Sequence, residues 1–262
     1  MGLKKYYALA RNSFRESTAY RLDAVTTLLS SIVFLVLYFA VWTAIDSSGE
    51  IDGGLSQVLT YLVAGQVVSN AAFIQTEKFV GERVRKGTVV NELKRPLGFM
   101  SHVYFHELGH AVFNIGAKAL PVLAMGALFL DVPVPGPLQS LYFALSVFLA
   151  FNLVFLVAYT NSMLVFWTKV DWSLRMTRST VQNLFSGVLF PLYLLPSGLE
   201  TAFSLLPFRA MADSPIQVFL GNVSGTSLLG IYGIQIFWII VFFVISRLAW
   251  SKARNKLTVQ GG

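Results

Sequence analysis

The sequence of 262 residues has no cysteine and few charged side chains. Without cysteine the chain can form no disulfide bond and offers no thiolate for catalysis or metal binding. Charged residues make up 13% of the chain, about half the share of an average soluble domain. Residues 2–21 are too polar for the apolar region of a cleavable signal peptide, so we expect none. The hydrophobic share of 55% then indicates an integral membrane protein without a separate soluble domain.

Lysine and arginine are scarce in every second loop between the apolar stretches. All of them except Lys118 and Arg209 fall in four clusters. The clusters comprise Lys4, Lys5, Arg11, Arg15 and Arg21; Lys78, Arg83, Arg85, Lys86, Lys94 and Arg95; Lys169, Arg175 and Arg178; and Arg247, Lys252, Arg254 and Lys256. Short basic loops stay on the cytoplasmic side, so both termini are predicted to be cytoplasmic. Basic residues spread over four loops favour contact with anionic lipid headgroups and not with nucleic acid.

Six apolar stretches are long enough to cross a bilayer, whose core of about 30 Å requires roughly 20 helical residues. They cover residues 24–45, 55–76, 101–130, 138–167, 180–199 and 226–248. We therefore predict an all-α integral membrane protein with six transmembrane helices, folded as a single domain over residues 1–262.

Two further elements are predicted outside regular spans. Residues 3–20 repeat apolar side chains at helical spacing with basic residues between them, which favours an N-terminal interfacial amphipathic helix; a solvated basic tail is the alternative. The fifth stretch is interrupted by Pro191, Pro196 and Gly198 and continues as LETAFSLLPF. Broken backbone at membrane depth requires cover from protein or a water-filled cavity, so we predict a re-entrant external segment after span five, or else a kinked packing helix.

The run HELGH at 106–110 has the HExxH pattern of zinc metalloproteases. His106 and His110 share a helix face and could bind zinc, with Glu107 as general base. Site-2 proteases carry a similar run, so an intramembrane zinc metalloprotease is the alternative function. However, the one other histidine, His102, lies on the same line, and no other span holds an acidic residue well inside it. We therefore predict no metal site and a packing role near the cytoplasmic interface.

A polar stripe follows the third span. His102, His106, His110, Asn114 and Lys118 recur every four residues, and each step of four drifts by about 40° in an α-helix. An ionisable group near mid-membrane costs a few kcal/mol and should face the bundle, a cavity or a partner. His106, His110, Asn114 and Lys118 are predicted to line a transport pathway or a subunit interface.

The loop after span two is the most specific pattern. In GERVRKGTVVNELKRP (81–96), Gly87 can end one helix, Thr88 can cap a short second helix, and Pro96 can stop it. This pattern resembles the coupling-helix region of type-2 ABC-transporter permeases. The resemblance implies that a partner ATPase is contacted by Glu82, Arg83, Arg85, Lys86, Gly87, Thr88, Glu92 and Leu93.

A second resemblance lies in LFPLYLLPSGLETAFSLLPFRAMADSPIQVFLG (189–221), which is similar to one six-span branch of that permease family, as is Tyr20-Arg21-Leu22-Asp23 before span one. Pro191, Pro196, Leu199, Phe203 and Leu206 are predicted to form an external gate. Broken and apolar sequence together favour a segment that dips into the outer leaflet, because exposed apolar surface is costly. An ordinary external loop is the alternative.

The resemblance implies the membrane subunit of an ABC exporter in the plasma (inner) membrane of a bacterium or archaeon. Two such subunits, either related chains or two copies, would form the pathway, and a cytoplasmic ABC ATPase dimer would bind ATP and Mg²⁺. The run GERVRKGT (81–88) has Lys-Gly-Thr where a phosphate loop needs Gly-Lys-Thr. We therefore expect no ATPase site, no cofactor and no catalytic residue in this chain. A non-catalytic membrane scaffold or receptor subunit remains a third interpretation.

Overall fold

A computed structural model describes residues 2–19, 21–47, 54–93 and 98–259 and contains only helices and irregular segments within them. The α-helices are α1 (Gly2–Ala19), α2 (Arg21–Asp46), α3 (Leu55–Ala71), α4 (Thr76–Arg85), α5 (Val89–Leu93), α6 (Phe99–Asn114), α7 (Leu120–Phe129), α8 (Pro137–Ser162), α9 (Val165–Thr168), α10 (Trp172–Phe185), α11 (Ser197–Ser204), α12 (Asp213–Leu220) and α13 (Thr226–Val259). A π-helical turn, Ile115–Ala119, joins α6 to α7, and 3₁₀ turns cover Leu192–Leu194 and Arg209–Met211. The predicted all-α class is confirmed.

Five helical stretches among the described residues are long and apolar enough to cross a membrane. They cover Val25–Asp46, Leu55–Arg85, Phe99–Phe129, Pro137–Thr168 and Thr226–Lys256. They coincide with five of the six predicted spans. The second reaches further than predicted because α4 continues after a short irregular break between α3 and α4.

The predicted span over 180–199 is not a continuous helix. Helix α10 ends at Phe185, and the chain then runs through irregular backbone and short helices to α12. Gly187 has φ +86°, a left-handed conformation that favours glycine. Pro191 and Pro196 lack the amide hydrogen that an α-helix needs. The sequence predicted an interruption at Pro191, Pro196 and Gly198, but the helix already ends at Phe185, and a sixth continuous span is absent from the described residues.

The helices pack around α3, whose apolar stretch is mostly buried, whereas α2 and α13 expose most of theirs. The basic clusters at 83–86, 169–178 and 247–256 mark one end of the bundle, which we call the basic end. The turns at 131–136 and 221–225 mark the other, which we call the far end. Buried apolar residues form one cluster towards each end, with Tyr159 in the first and Tyr61 in the second.

The segment before α12 lies inside this bundle. The Gln235 amide donates to the carbonyl oxygens of Ala210 (3.0 Å) and Ser146 (3.1 Å), and all three residues are buried. Ser146 and Gln235 each lie nine residues from the far-end start of their helices, which corresponds to a depth of about 14 Å at 1.5 Å per residue. Ala210 therefore lies far below the end of the bundle, deeper than an external loop would.

Helix α1 lies along α6. Tyr6 contacts Phe105, with ring centroids 4.5 Å apart, and Phe14 contacts Phe113 at 5.9 Å. Between these pairs, a Cβ on Gly109 would lie 2.8 Å from the Ser13 Cβ. The glycine of HELGH thus allows α1 and α6 to approach closely at this position.

Candidate functional site

The segment 82–93 forms a helix end, a tight turn and a short helix at the basic end. The Lys86 amide donates to the Glu82 carbonyl (3.0 Å), and Gly87 follows with φ +67°. Thr88 accepts a hydrogen bond at its carbonyl from the Asn91 amide in α5 (3.0 Å). Glu92 and Leu93 complete the backbone of α5, while Pro96 lies outside the described residues.

The charges of this segment are not equally available to a partner. Arg85 forms an ion pair with Asp171, and the Arg83 guanidinium lies 3.3 Å from the Phe79 ring centroid. Lys86 is exposed. In α5, Val89 is buried and Val90 is 45% exposed. The short helix thus has one apolar side in the core and another available for contact.

A buried ionic network lies directly behind this segment. Arg178 in α10 donates to Glu77 in α4 (Nε–Oε1 2.5 Å), and their side chains are 8% and 0% exposed. Asn161 in α8 also donates to Glu77 (3.0 Å), and Arg178 donates to Gln182 (2.9 Å). Buried charges are stable only when paired and hydrogen-bonded. The network therefore links α4, α8 and α10. It was missed in the sequence, where Arg178 served only as one of the basic residues that predict the cytoplasmic side of the membrane.

Glu107 of HELGH is hydrogen-bonded to the segment that joins α3 to α4. Its carboxylate accepts hydrogen bonds from the Thr76 hydroxyl (3.1 Å) and the Gln75 amide (3.4 Å), where the chain breaks between α3 and α4. The side chain is buried. Glu107 thus caps the start of α4, which is not the role of a general base beside a metal-bound water.

His106, His110, Asn114 and Lys118 line one cavity of about 520 Å³ between α1, α4 and α6. Glu16 of α1 and Glu82 and Arg83 of α4 also line it. His102 is buried against Phe79, with ring centroids 5.7 Å apart. The predicted stripe therefore faces the protein interior, while its role in transport stays a prediction.

Lys118 is buried within the π-helical turn, and its ammonium lies 5.4 Å from the Phe73 ring centroid. A π-turn bonds residue i to i+5 and holds more residues than an α-turn. In an α-helix, residues four apart are rotated by slightly more than one full turn. In the π-turn the same step is less than one full turn, so Lys118 is rotated back towards the face that holds His110 and Asn114. This turn keeps Lys118 in the same cavity as His110 and Asn114.

A second ionic network lies towards the far end. Asp213 accepts hydrogen bonds from the Tyr61 hydroxyl (2.8 Å), Arg209 (2.9 Å) and Gln217 (3.1 Å). Asp213 is 1% exposed, but Arg209 is 31% exposed and also lies 3.8 Å from Glu200, which is 41% exposed. One arginine thus has a buried and an exposed carboxylate partner. The sequence analysis missed this pair, although the spacing of Arg209 and Asp213, four residues apart in an apolar stretch, could have indicated it.

The residues predicted to form an external gate follow α10. Pro191 is buried, whereas Pro196 and Leu199 are exposed. Phe203 packs on Phe185, with ring centroids 5.0 Å apart, and Leu206 is half-buried. Their gating role stays a prediction.

Comparison with protein families gives a match to a family described as ABC-2 family transporter protein, over residues 29–261. Among curated proteins, no sequence matches this chain closely enough to count as a relative. The family match covers most of the chain, including the segment at 82–93, both ionic networks and HELGH. It gives no support to proteolysis at HELGH, and the contacts of Glu107 give none either.

Proposed function

The chain belongs to the ABC-2 transporter family, and from this premise we propose that it is the permease subunit of an ATP-driven exporter. Separate cytoplasmic ABC ATPase subunits bind ATP and Mg²⁺, and a second permease, either a related chain or a copy of this one, completes the pathway. The family match over residues 29–261 carries this proposal. The long apolar helices support a multi-pass location in the plasma membrane.

We further propose six crossings with the basic end in the cytoplasm, as expected for loops rich in lysine and arginine. The fifth crossing is composite: α10 enters from the basic end, residues 186–212 fold at membrane depth, and α12 leaves towards the far end. The hydrogen bonds from Gln235 to Ala210 and from Tyr61 to Asp213 support this arrangement, because protein covers the irregular backbone.

Coupling to the ATPase occurs at the segment 82–93. Val90 and Lys86 offer an apolar and a cationic contact on an exposed surface. The Glu77–Arg178 network immediately behind them links this surface to α8 and α10. ATPase closure would therefore move a rigid unit of the bundle and not an isolated loop.

Co-purification and ATPase measurements test this coupling. The permease is purified from its native membrane, the associated soluble ATPase is identified, and both are reconstituted in lipid. Val90→Asp and Lys86→Glu should each lower the stimulation of ATP hydrolysis severalfold without changing membrane insertion. Ser224→Asp adds a charge at an exposed far-end position and serves as the control. Full stimulation by both basic-end variants would refute the coupling surface.

We assign one set of polar residues to the transport pathway and one set of apolar residues to an external gate. His106, His110, Asn114 and Lys118 belong to the pathway or the permease–permease interface, and Lys118→Met should lower transport while expression is unchanged. A reconstituted Lys118→Met permease that transports at the normal rate would contradict this role.

The gate consists of Pro191, Pro196, Leu199, Phe203 and Leu206, and it shapes the exit for an amphiphilic substrate. Single cysteines at Phe203 and Leu206 should react slowly with a membrane-impermeant thiol reagent in the resting complex. Ser224→Cys provides the exposed control, and equally fast labelling at all three positions would show an ordinary external loop.

A further inference from the structure

The two HELGH histidines meet a carboxylate from α1. The His106 and His110 Nε2 atoms are 3.4 Å apart, and the Glu16 carboxylate lies 3.8 Å from the His106 Nε2. The three donor atoms all lie within 4.8 Å of one another. Sequence reasoning excluded a metal because no other span supplied an acidic ligand, but the third donor comes from the N-terminal helix.

These distances suit a small tetrahedral cation. Bonds of about 2.0–2.1 Å to zinc place neighbouring donor atoms roughly 3.3–3.4 Å apart, which matches the separation of the two imidazole nitrogens. Two histidines and one carboxylate form a donor set typical of zinc. Magnesium and calcium prefer sites made of oxygen atoms.

The hydrogen bonds of His110 prepare its Nε2 for metal binding. The Ser17 hydroxyl donates its proton to the Ser13 carbonyl (3.1 Å). The same oxygen lies 2.5 Å from the His110 Nδ1, and in the tautomer with the proton on Nδ1 it accepts a hydrogen bond from that nitrogen. This leaves a lone pair on the Nε2, and a hydrogen bond to the other ring nitrogen is the usual means of orienting a metal-bound histidine.

We propose that Glu16, His106 and His110 bind one Zn²⁺ ion, with a water from the adjoining cavity as the fourth ligand. The ion fastens α1 to α6. It does not support peptide hydrolysis, because Glu107 is committed to Thr76 and Gln75 at the start of α4. Since α1 otherwise contacts α6 through aromatic pairs, the close approach at Gly109 and the Ser17–His110 hydrogen bond, zinc strengthens the docking of this helix.

Zinc binding is measured on the full chain in detergent after removal of metal by EDTA. Calorimetric titration should give one Zn²⁺ per chain, and Co²⁺ should produce the visible absorption bands of a tetrahedral site. His106→Ala and His110→Ala should each weaken binding at least 100-fold, and Glu16→Gln about 10-fold. Glu107→Gln alters the same motif without removing a proposed ligand and should bind zinc normally.

A second readout separates binding from misfolding. Zn²⁺ should raise the thermal unfolding midpoint of the unaltered chain and of Glu107→Gln, because a ligand that binds only the folded state stabilises it. At the same zinc concentration it should raise the midpoint of Glu16→Gln, an exposed position that the fold does not need, by less than that of the unaltered chain. No zinc binding at micromolar concentration, unaltered binding in the two histidine variants, or a requirement for Glu107 in place of Glu16 would overturn the proposal.

Discussion

The two ionic networks of the bundle differ in how many carboxylates their arginines contact and in how exposed those arginines are to solvent. At the basic end, Arg178 and Glu77 are both buried and are completed by Asn161. Towards the far end, Arg209 is about one-third exposed and lies between the buried Asp213 and the exposed Glu200. We call the buried Glu77–Arg178 pair the closed pair and the partly exposed Arg209–Asp213 pair the open pair.

This difference has a mechanical meaning. Breaking a buried pair by removing one partner leaves an uncompensated charge and costs about 3–5 kcal/mol, so the basic-end network acts as a fixed joint. The exposed Arg209–Glu200 contact contributes about 0–1 kcal/mol, so Arg209 can gain or lose Glu200 at small cost while it stays paired with Asp213. The basic end is therefore suited to transmitting a movement, and the segment before α12 is suited to undergoing one.

The largest effect is expected from removing half of the closed pair. Arg178→Met should lower the free energy of unfolding by about 3–5 kcal/mol, because Glu77 remains buried and unpaired. Thermal unfolding in detergent measures the loss. The double variant Glu77→Met, Arg178→Met should be less destabilised than the sum of the two single variants, and strict additivity would show that the pair is not coupled.

The second-largest effect is expected from adding a side chain where α1 packs closely on α6. Gly109→Ala places a methyl group against the backbone and side chains of α1, and such overpacking costs about 1–3 kcal/mol. Gly116→Ala, later in the same long helix, has no neighbouring atom within 4 Å of the added Cβ. Unfolding midpoints and the protease sensitivity of α1 compare the two. Equal behaviour would mean that α1 is not docked at Gly109.

A moderate effect is expected at the buried half of the open pair. Asp213→Asn keeps an oxygen for Tyr61 and Gln217 but turns an amide donor towards Arg209. Losing a hydrogen bond to a charged group costs about 1.5–3 kcal/mol, reduced here because Glu200 remains. The same unfolding measurement should show a loss smaller than for Arg178→Met. A loss as large as that one would indicate that the far-end network is equally closed.

The smallest effect is expected at Glu200. Glu200→Gln removes an exposed partner 3.8 Å from Arg209, so the free energy of unfolding should change by less than about 0.5 kcal/mol. Its transport rate should nevertheless change if Arg209 makes and breaks its contact with Glu200 during the cycle. Unchanged transport together with unchanged stability would show that Glu200 has no part in the mechanism.

The predicted all-α class and the family resemblance are confirmed. Both depend on short stretches of sequence, and not on contacts between distant residues. Hydropathy located five long helices, and the family match covers the motifs at 81–96 and 189–221 on which the resemblance mainly rested. The interruption at Gly187 was not foreseen, because an average over an apolar stretch carries no information on backbone conformation.

Contacts between distant segments were beyond the sequence. Glu16 and His106 are joined only once α1 lies along α6, which depends on the close approach at Gly109. Arg178 looked like a member of a basic cluster and Glu77 was not singled out, because their burial depends on α8 and α10 packing against α4. Pair geometry of this kind arises from tertiary packing and has no local signature.

The bond from Gln235 to Ala210 also has a consequence for biogenesis. Ala210 is synthesised before Gln235, so its carbonyl at membrane depth cannot receive this hydrogen bond until the last long helix has left the ribosome and entered the bilayer. Until then, the segment between α10 and α12 lacks its partner and must be shielded by water, lipid headgroups or the insertion machinery. The final helix therefore completes the fold of a segment synthesised earlier, and truncation before α13 would leave that segment exposed to membrane quality control.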